Sequence, residues 1–440
     1  MKLPDVKTEI KKIKLSDIVF KEEIYARFEP DQRLISKYEE NADTILRSSS
    51  KIKVSHDNIL IDGYHRWKAF ERVYGKDSEI DVCVYLTDNT DFIELESYAA
   101  NQTHGKANTK EETFRNVQRL YSKGHDTQTI IDRLSIQKSW VLKATETIRA
   151  TEKEERNRKA VELYLRAWNT QETVAKELDI ARSTLEEIIN TVENSISGKI
   201  GKEWNLDHTD PNYNPLKPIR YNIWNTLSKK NGETHFGSFP QIFMENLLYY
   251  YTEPLDIVFD PFAGSGTTID ACKSMFRRYY CTDLMVKPGR EGDIIQHDIT
   301  RGLPDKLPKH KLVFLDPPYW KQAKGQYTDK ATDLSNMELP AFYQSFETLF
   351  KELKPKLVDG GYIAFIISST QWPNDNKNVE PHFHKLWNIA ENSGFVFENL
   401  IHIPYSTEQY NGNQVKIAKE QKLILQLNRE LVVMRKDEKS

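Results

Sequence analysis

An apolar run that stops at an acidic, proline-containing tetrapeptide is the part of this sequence best suited to chemistry. Residues 312–315 read as a buried strand, and Asp316, Pro317, Pro318 and Tyr319 follow it directly. Consecutive prolines cannot donate to a β-ladder, so the strand must end there in a rigid, extended tip. A carboxylate and a proline carbonyl accept hydrogen bonds from an amine, and an aromatic ring stacks on a flat ring. The tip is therefore suited to hold a planar ring that bears an amine.

A second strand-like run, residues 255–259, ends at Asp260 and enters a glycine-rich turn. Gly264 and Gly266 permit a tight turn and a close approach of a ligand to the backbone. The helix predicted from residues 269 to 275 would offer free N–H groups at its start. The glycine spacing matches neither a phosphate loop nor G-x-G-x-x-G, so a phosphate-binding role is not favoured.

Two more predicted strands, residues 278–282 and 293–297, also end in acids, Asp283 and Asp298. An acid about 20 residues beyond the glycine-rich turn is where a ribose-binding carboxylate belongs in a doubly wound sheet. The connections after these two strands are short, so little room remains for crossover helices. We therefore expect this half of the sheet to be lightly covered.

Taken together, these residues resemble the amino-methyltransferases that act on DNA. Residues 260–268 resemble the S-adenosylmethionine-binding motif of that family, and residues 316–319 resemble its catalytic tetrapeptide. The resemblance runs from about residue 221 to the C-terminus. It implies a Rossmann-like methyltransferase sheet and methyl transfer to the exocyclic amine of adenine (N6) or cytosine (N4). It implies no metal, and the three cysteines lie outside the catalytic segment, which disfavours thiolate attack on a cytosine carbon.

The resemblance also assigns a role to each matching position. Asp283 would bond the cofactor ribose and Asp298 its adenine amine, while Asp316 and the Pro317 carbonyl would accept from the target amine. Tyr319 would stack on a base swung out of the duplex. The polar run 321–336 is either a lid or a mobile surface loop. The positions expected to bind S-adenosylmethionine are Asp260, Pro261, Phe262, Gly264, Ser265, Gly266, Thr267, Asp283 and Asp298.

Length and composition fit a large, soluble enzyme. The chain has 440 residues, of which 38% are hydrophobic and 29% charged, which suggests two or three domains. Three scattered cysteines suit a reducing cytoplasm, and no apolar stretch approaches the length of a membrane span. A net charge of −3 is unlike that of a protein dominated by phosphate neutralisation, so contacts with double-stranded DNA must come from local basic faces.

The first part of the chain, residues 8–107, combines short strands and helices. A helix is predicted at residues 32–45. A strand at 59–61 then enters a turn at Gly63 that opens a second helix, with Arg66 near its start. This arrangement resembles the N-terminal domain of ParB-type partition proteins, which implies an α+β domain, a possible homodimer through this half, and a nucleotide (CTP) pocket. The alternative is a structural turn in which Arg66 pairs with an acid. Sulfiredoxin chemistry is not supported, since Tyr64 occupies the reactive cysteine position. The matching pocket residues are Arg27, Gly63, Arg66 and Asn101.

Residues 108–196 contain two helix-turn-helix patterns. Residues 127–134, 135–137 and 138–142 read as helix, turn and helix, and residues 170–178, 179–181 and 182–188 repeat the pattern. Each pattern opens with a predicted threonine cap, Thr127 and Thr170. The start of the second helix of such a motif enters the major groove. The alternative is a plain helical hairpin between domains. Residues expected to face DNA are Gln137, Lys138, Ser139, Arg182, Ser183 and Thr184.

The sequence therefore predicts an α/β multidomain enzyme. A ParB-like α+β domain and a helix-turn-helix bundle precede a linker at residues 197–220 and a methyltransferase domain at residues 221–440. Two alternatives remain open. One is an RNA amino-methyltransferase, and the other is a DNA-binding partition regulator with an inactive transferase domain.

Overall fold

The computed structural model describes residues 6–103, 108–200, 218–219, 221–225, 239–321, 328–371, 379–404 and 412–438. The chain divides into two compact units, Met1–Glu155 and Arg156–Ser440. The division falls between the two helix-turn-helix patterns, so each pattern belongs to a different unit. Among the described residues, no helix has both the length and the apolar character needed to span a bilayer. Most of the predicted linker, residues 201–217 and 220, lies outside the described residues.

The first unit contains a small mixed sheet followed by helices. Its strands are β1 (Thr8–Lys14), β2 (Ile52–Ser55), β3 (Leu60–Asp62) and β4 (Glu79–Tyr85), in the order β1-β4-β2-β3. Its helices are α1 (Gln32–Glu40), α2 (Ala42–Arg47), α3 (Tyr64–Tyr74), α4 (Thr90–Thr103), α5 (Lys110–Ser122), α6 (Thr127–Leu134) and α7 (Lys138–Ala144). Helix α8 (Glu146–Leu165) contains the boundary between the units.

Local capping sets where several of these helices begin. The Thr109 side chain and Glu112 form a reciprocal capping box at the start of α5. The predicted cap at Thr127 is wrong, because Asp126 accepts the hydrogen bond from the N–H of Thr129 at the start of α6. An ionised aspartate one position earlier is the better acceptor for a helix N-terminus.

The second unit begins within α8, at Arg156, and contains the helices and strands of a larger α/β sheet. Its helices are α9 (Gln171–Glu177), α10 (Arg182–Ile200), α11 (Gln241–Tyr251), α12 (Thr267–Met275), α13 (Leu339–Leu353), α14 (His382–Asn392) and α15 (Gly412–Gln421). Its strands are β5 (Ile257–Asp260), β6 (Arg278–Asp283), β7 (Ile295–Gln296), β8 (His310–Leu315), β9 (Leu357–Ser368), β10 (Thr370–Gln371), β11 (Val379–Glu380), β12 (Phe395–Pro404) and β13 (Asn428–Lys436).

The large sheet has the order β12-β13-β9-β8-β5-β6-β7 across the described residues. Strands β5 to β9 run parallel, and β13 is antiparallel to both β9 and β12. Strands β5, β8 and β9 carry buried apolar residues on both faces, as expected for parallel strands covered by helices. The sheet is Rossmann-like, and the strand order reverses between β5 and β8, where open α/β sheets bind ligands.

The connections after β6 and β7 contain no crossover helix, as the sequence predicts. The expected light cover of this half of the sheet is wrong, because residues of α8, α9 and α10 belong to the same buried core cluster as Tyr279 and Cys281 of β6. Residues 284–309, which connect β6 through β7 to β8, contain no α-helix. Instead, the segment after α8 lies along β6: Arg166 forms an isolated bridge with Tyr279, and the Ala167 N–H donates to the Tyr279 carbonyl over 2.8 Å. The rings of Trp168 and Tyr279 meet edge to face. Residues 156–200 therefore form part of the same unit as the large sheet.

Candidate active site

Three acidic residues stand at the carboxyl ends of adjacent strands. Asp260, the last residue of β5, is in register with Cys281, so Asp283 lies two residues further along β6. Phe259 is in register with Val313 of β8, so Asp316 also lies two residues beyond the level of Asp260. The two strand tips singled out in the sequence are thus neighbours at the point where strand order reverses.

The Asp260 carboxylate shapes the glycine-rich turn. It is 2% exposed and accepts hydrogen bonds from the Phe262 N–H at 2.8 Å and the Thr268 hydroxyl at 2.5 Å. Asp283 accepts from the Gly264 N–H at 2.8 Å, which ties the turn to the end of β6. These bonds fix the backbone path around Gly264 and Gly266, which both adopt positive φ angles of 51° and 91°.

Burial and mutual repulsion raise the pKa values of these carboxyl groups. Burial, with a smaller contribution from the nearby charges of Asp316 and Asp283, raises the pKa of Asp260 to about 7. Burial also raises the pKa of Asp283. Negative charge is therefore concentrated and poorly solvated at this edge, which favours a cationic ligand.

Asp316 is the acid of the tetrapeptide. Burial raises its pKa to about 6, while the charge of Arg429 and a hydrogen bond from the Tyr319 hydroxyl at 3.3 Å lower it. The group is thus predominantly ionised at pH 7 to 8, where it can accept hydrogen bonds from an amine. Tyr319 lies beside it and is partly buried.

Asp298 lies at the end of the strand after Asp283. Its carboxylate accepts from the backbone N–H and the hydroxyl of Thr300, at 3.2 and 2.7 Å, and also bonds the Thr332 side chain. These bonds lower the pKa of Asp298. Asp298 therefore links the end of β7 to the polar run after the tetrapeptide.

Part of that polar run is well anchored. Residues 322–327 lie outside the described residues, but buried Asp333 accepts from the N–H groups of Thr328 and Ser335, at 3.2 and 3.0 Å. The Asn336 amide donates to the carbonyl of Thr328 over 2.8 Å. Residues 328–336 are therefore held together by hydrogen bonds around a buried carboxylate, and the choice between a lid and a mobile loop for the whole run stays a prediction.

The structure adds residues that sequence patterns did not reveal. Arg290 makes a two-pronged ion pair with Asp270 of α12, at 2.8 and 2.6 Å, and its guanidinium lies across Gly266. A Cβ atom on Gly266 would stand 2.8 Å from this guanidinium. Arg429, from β13, is 6% exposed and acts electrostatically on Asp316. No sequence motif around Arg290 or Arg429 indicates these roles, because each residue comes close to its acidic partner only in the folded chain.

The four residues of the predicted nucleotide pocket line one cavity of about 650 Å³ in the first unit. The Arg27 guanidinium donates to Asn101 at 3.4 Å. Arg66 pairs with Asp62 at 3.0 Å and also donates to the Ser50 hydroxyl. The structure therefore contains the ion pair between Arg66 and an acid that the alternative interpretation predicted.

Both predicted helix-turn-helix patterns form helices joined by short turns. Gln137, Lys138 and Ser139 are exposed at the start of α7. Arg182 and Ser183 are exposed at the start of α10, and Thr184 is half-buried. Arg182 is paired with Glu172 at 2.8 Å.

Comparisons with known proteins agree with this site. A family profile described as DNA methylase, N6_N4_Mtase, matches residues 27–287, a range that includes the glycine-rich turn and ends before Asp316. The Type II methyltransferase M.XycI of Xanthomonas campestris pv. cyanopsidis is 37% identical over 65 residues, and M.Cfr9I of Citrobacter freundii is 35% identical over 65 residues. Each match covers 15% of this chain and only 22% of the relative. The structure of TrmN from Thermus thermophilus is 15% identical, with a TM-score of 0.28 over 46% of this chain and 50% of its own, too low to support an argument.

Proposed function

Because this chain belongs to the N6/N4 DNA methylase family, we propose that it is a site-specific DNA methyltransferase that methylates the exocyclic amine of adenine (N6) or cytosine (N4). The observation that carries the proposal is the adjacency of two strand tips at the sheet's switch point. One tip ends in the glycine-rich turn after Asp260 and the other in Asp316 and Tyr319. A donor and an acceptor held at these tips would meet at one edge.

S-adenosylmethionine is the methyl donor, and the residues present fit it. The carboxylates of Asp260 and Asp283 suit a ligand with a positively charged sulfonium group. At Gly264 a Cβ atom would meet only a carbonyl oxygen at 3.8 Å, so the turn is open there to a ligand near the N-terminus of α12. When bound, this cofactor supplies an electrophilic methyl group. The turn and Asp283 would hold it, and Asp298 would hold its adenine amine.

The chain's own part in the reaction is to orient the acceptor. Asp316 and the Pro317 carbonyl accept hydrogen bonds from the target amine, which places its nitrogen lone pair toward the donor side. Pro318 keeps the tip extended, since its φ angle is fixed. Tyr319 stacks on the extruded base, and such stacking offsets roughly 1–3 kcal/mol of the cost of flipping.

We assign recognition of double-stranded DNA to the first unit. The exposed start of α7, with Gln137, Lys138 and Ser139, suits the second helix of a helix-turn-helix motif. The second copy is the weaker candidate. Between residues 170 and 195 it carries two cations (Lys176 and Arg182) against six acids, and a DNA phosphate backbone requires the reverse. The six acids are Glu172, Glu177, Asp179, Glu186, Glu187 and Glu193.

A second candidate function concerns the first unit, where we propose a nucleotide site of the ParB type. The support is the shared cavity of Arg27, Gly63, Arg66 and Asn101. Calorimetric titration of the full chain with CTP tests it. Saturable binding that Arg27→Ala removes would support the site, and no heat of binding at millimolar CTP would contradict it.

Nucleoside mass spectrometry tests the main proposal. The full chain is incubated with S-adenosylmethionine carrying a deuterated methyl group and with DNA or RNA, and the products are digested. We expect label in N6-methyladenine or N4-methylcytosine from DNA, and Asp316→Ala should abolish it while cofactor affinity changes little. Label in RNA alone would establish the RNA alternative. Failure to bind the cofactor would instead support a regulator with an inactive transferase domain.

A further inference from the structure

A buried polar network lies directly behind the catalytic tetrapeptide. Trp320, which follows Tyr319, is 3% exposed, and its indole Nε1–H donates to the Met337 carbonyl at 2.9 Å. The carbonyl oxygen of Trp320 accepts a hydrogen bond from the Thr370 hydroxyl at 3.1 Å. Thr370 lies in β10, just after β9, at the same edge of the sheet. Both the side chain and the backbone of Trp320 are therefore held by directional bonds.

His382, at the start of α14, extends this network and is completely buried. Its Nε2 lies 2.9 Å from the Thr370 hydroxyl oxygen, and its Nδ1 lies 2.8 Å from the Tyr343 hydroxyl. Thr370 has one hydroxyl hydrogen, which goes to Trp320, so its oxygen accepts from Nε2–H. This assignment leaves Nδ1 as an acceptor, so the single hydroxyl hydrogen of Tyr343 is shared between Nδ1 and the Glu380 carboxylate, to which it donates over 2.7 Å. Burial lowers the pKa of His382 to about 4, which agrees with a neutral ring that carries one hydrogen.

We propose that Thr370 and His382 are positioning residues for methyl transfer, which fix the Trp320 carbonyl and thereby hold Asp316 and Tyr319 at the target base. This inference rests on the proposed function. Neither side chain belongs to the tetrapeptide or to the glycine-rich turn, and their bonds reach the tetrapeptide through one backbone carbonyl. A displacement of about 1 Å at reacting groups lowers rates about 100-fold, so such an anchor has a kinetic effect beyond stability.

The histidine allows a test in which two similar variants differ. In His382→Gln the side-chain amide nitrogen reaches the Nε2 position and can still donate to Thr370. In His382→Asn the shorter amide reaches the Nδ1 position and leaves Thr370 without its donor. Thr370→Val keeps the shape and removes the hydroxyl. Thr252→Val is the matched control, since Thr252 is also buried, bonds the Leu248 carbonyl and Arg277, and lies before the start of β5.

Two readouts are taken on the full chain: kcat and KM for DNA, and hydrogen exchange at the amides of Tyr319, Trp320 and Lys321. We expect Thr370→Val and His382→Asn to lower kcat about 10- to 100-fold and to speed exchange at these amides. We expect His382→Gln to stay within about threefold of wild type and Thr252→Val to lower stability without either effect.

The positioning role is overturned if Thr370→Val leaves exchange at these amides unchanged. It is also overturned if kcat falls no further in Thr370→Val than in Thr252→Val, or if the glutamine and asparagine variants lose activity equally. Absence of methyl transfer to DNA by the wild-type chain would contradict the proposed function instead. The exchange measurement would then still decide whether the network holds the tip.

Discussion

Replacing Asp316 by asparagine should slow methyl transfer, because an amide oxygen is a weaker acceptor than a carboxylate, and should at the same time stabilise the catalytic unit. Burial raises the pKa of Asp316 from 3.8 to about 6, so at pH 8 the folded protein holds a carboxylate in a site that disfavours its charge. A shift of about 2 units corresponds to about 3 kcal/mol. Because the side chain is only partly buried, screening reduces the expected gain to roughly 1–3 kcal/mol.

The pH dependence of this gain identifies its cause. A carboxyl group whose pKa is raised by folding stabilises the fold when protonated, and that contribution disappears as pH rises through about 6. Asparagine does not titrate. The advantage of the variant should therefore be largest at pH 7 to 8 and should shrink as pH falls from about 6 toward 4. In the wild-type enzyme, kcat/KM should fall over the same range, because the protonated acid no longer accepts from the amine.

Hydrogen exchange of the amides in β5 and β8 measures the opening free energy of this unit alone. Asp305→Asn serves as the control, since Asp305 is an exposed carboxylate of the same unit. We expect slower exchange in Asp316→Asn at pH 8 and no change in Asp305→Asn. Equal or faster exchange in Asp316→Asn at pH 8 would refute the claim that the charge of Asp316 is held at a cost in stability.

Three further predictions concern the donor side and the extent of the unit. Gly266→Ala should weaken cofactor binding at least about tenfold more than Gly264→Ala. The new Cβ at position 266 would stand 2.8 Å from the Arg290 guanidinium, whereas at position 264 it would meet only a carbonyl oxygen at 3.8 Å. Calorimetry compares the two affinities, and equal losses would contradict this prediction. Affinity for S-adenosylmethionine should rise between about pH 6 and 8 more steeply than affinity for S-adenosylhomocysteine, which lacks the sulfonium charge, since Asp260 ionises in this range. Parallel pH dependences of the two affinities would argue against a cation held by this carboxylate. A chain that starts at residue 156 should unfold cooperatively in calorimetry, and a chain that starts at residue 221 should not. The reason is that residues 164–169 pack along strand β6. Equal stability of the two chains would show that residues 164–169 are dispensable.

The strand ends and the helix-turn-helix boundaries were predictable because their signals are local. The predicted helix 127–134 has the observed bounds of α6, and the second helix begins at Lys138 as expected. Proline pairs, glycines and acids after apolar runs mark the carboxyl edge in the same way. A single predicted helix at 32–45 was wrong, since Asn41 interrupts it between α1 and α2.

The remaining features depend on contacts between residues far apart in sequence. Arg166 pairs with Asp293 at 3.0 Å although the two lie 127 positions apart in the sequence. The residues around Arg166 that pack along β6 show no strand periodicity. Arg429 approaches Asp316 only because β13 inserts beside β9. His382 contacts Thr370 across 12 positions of sequence, and residues 372–378 between them carry no apolar pattern. Such placements follow from the assembled sheet and not from any local preference.

The most direct test of the shared edge is a crystal structure of the full chain with a donor analogue and duplex DNA that contains its methylation site. Long-read sequencing of host DNA with and without the protein identifies that site. We predict the analogue against Gly264 and Gly266 and an extruded base between Asp316 and Tyr319, with the transferable group facing the base amine. A base bound elsewhere, or an analogue at another edge of the sheet, would contradict the account.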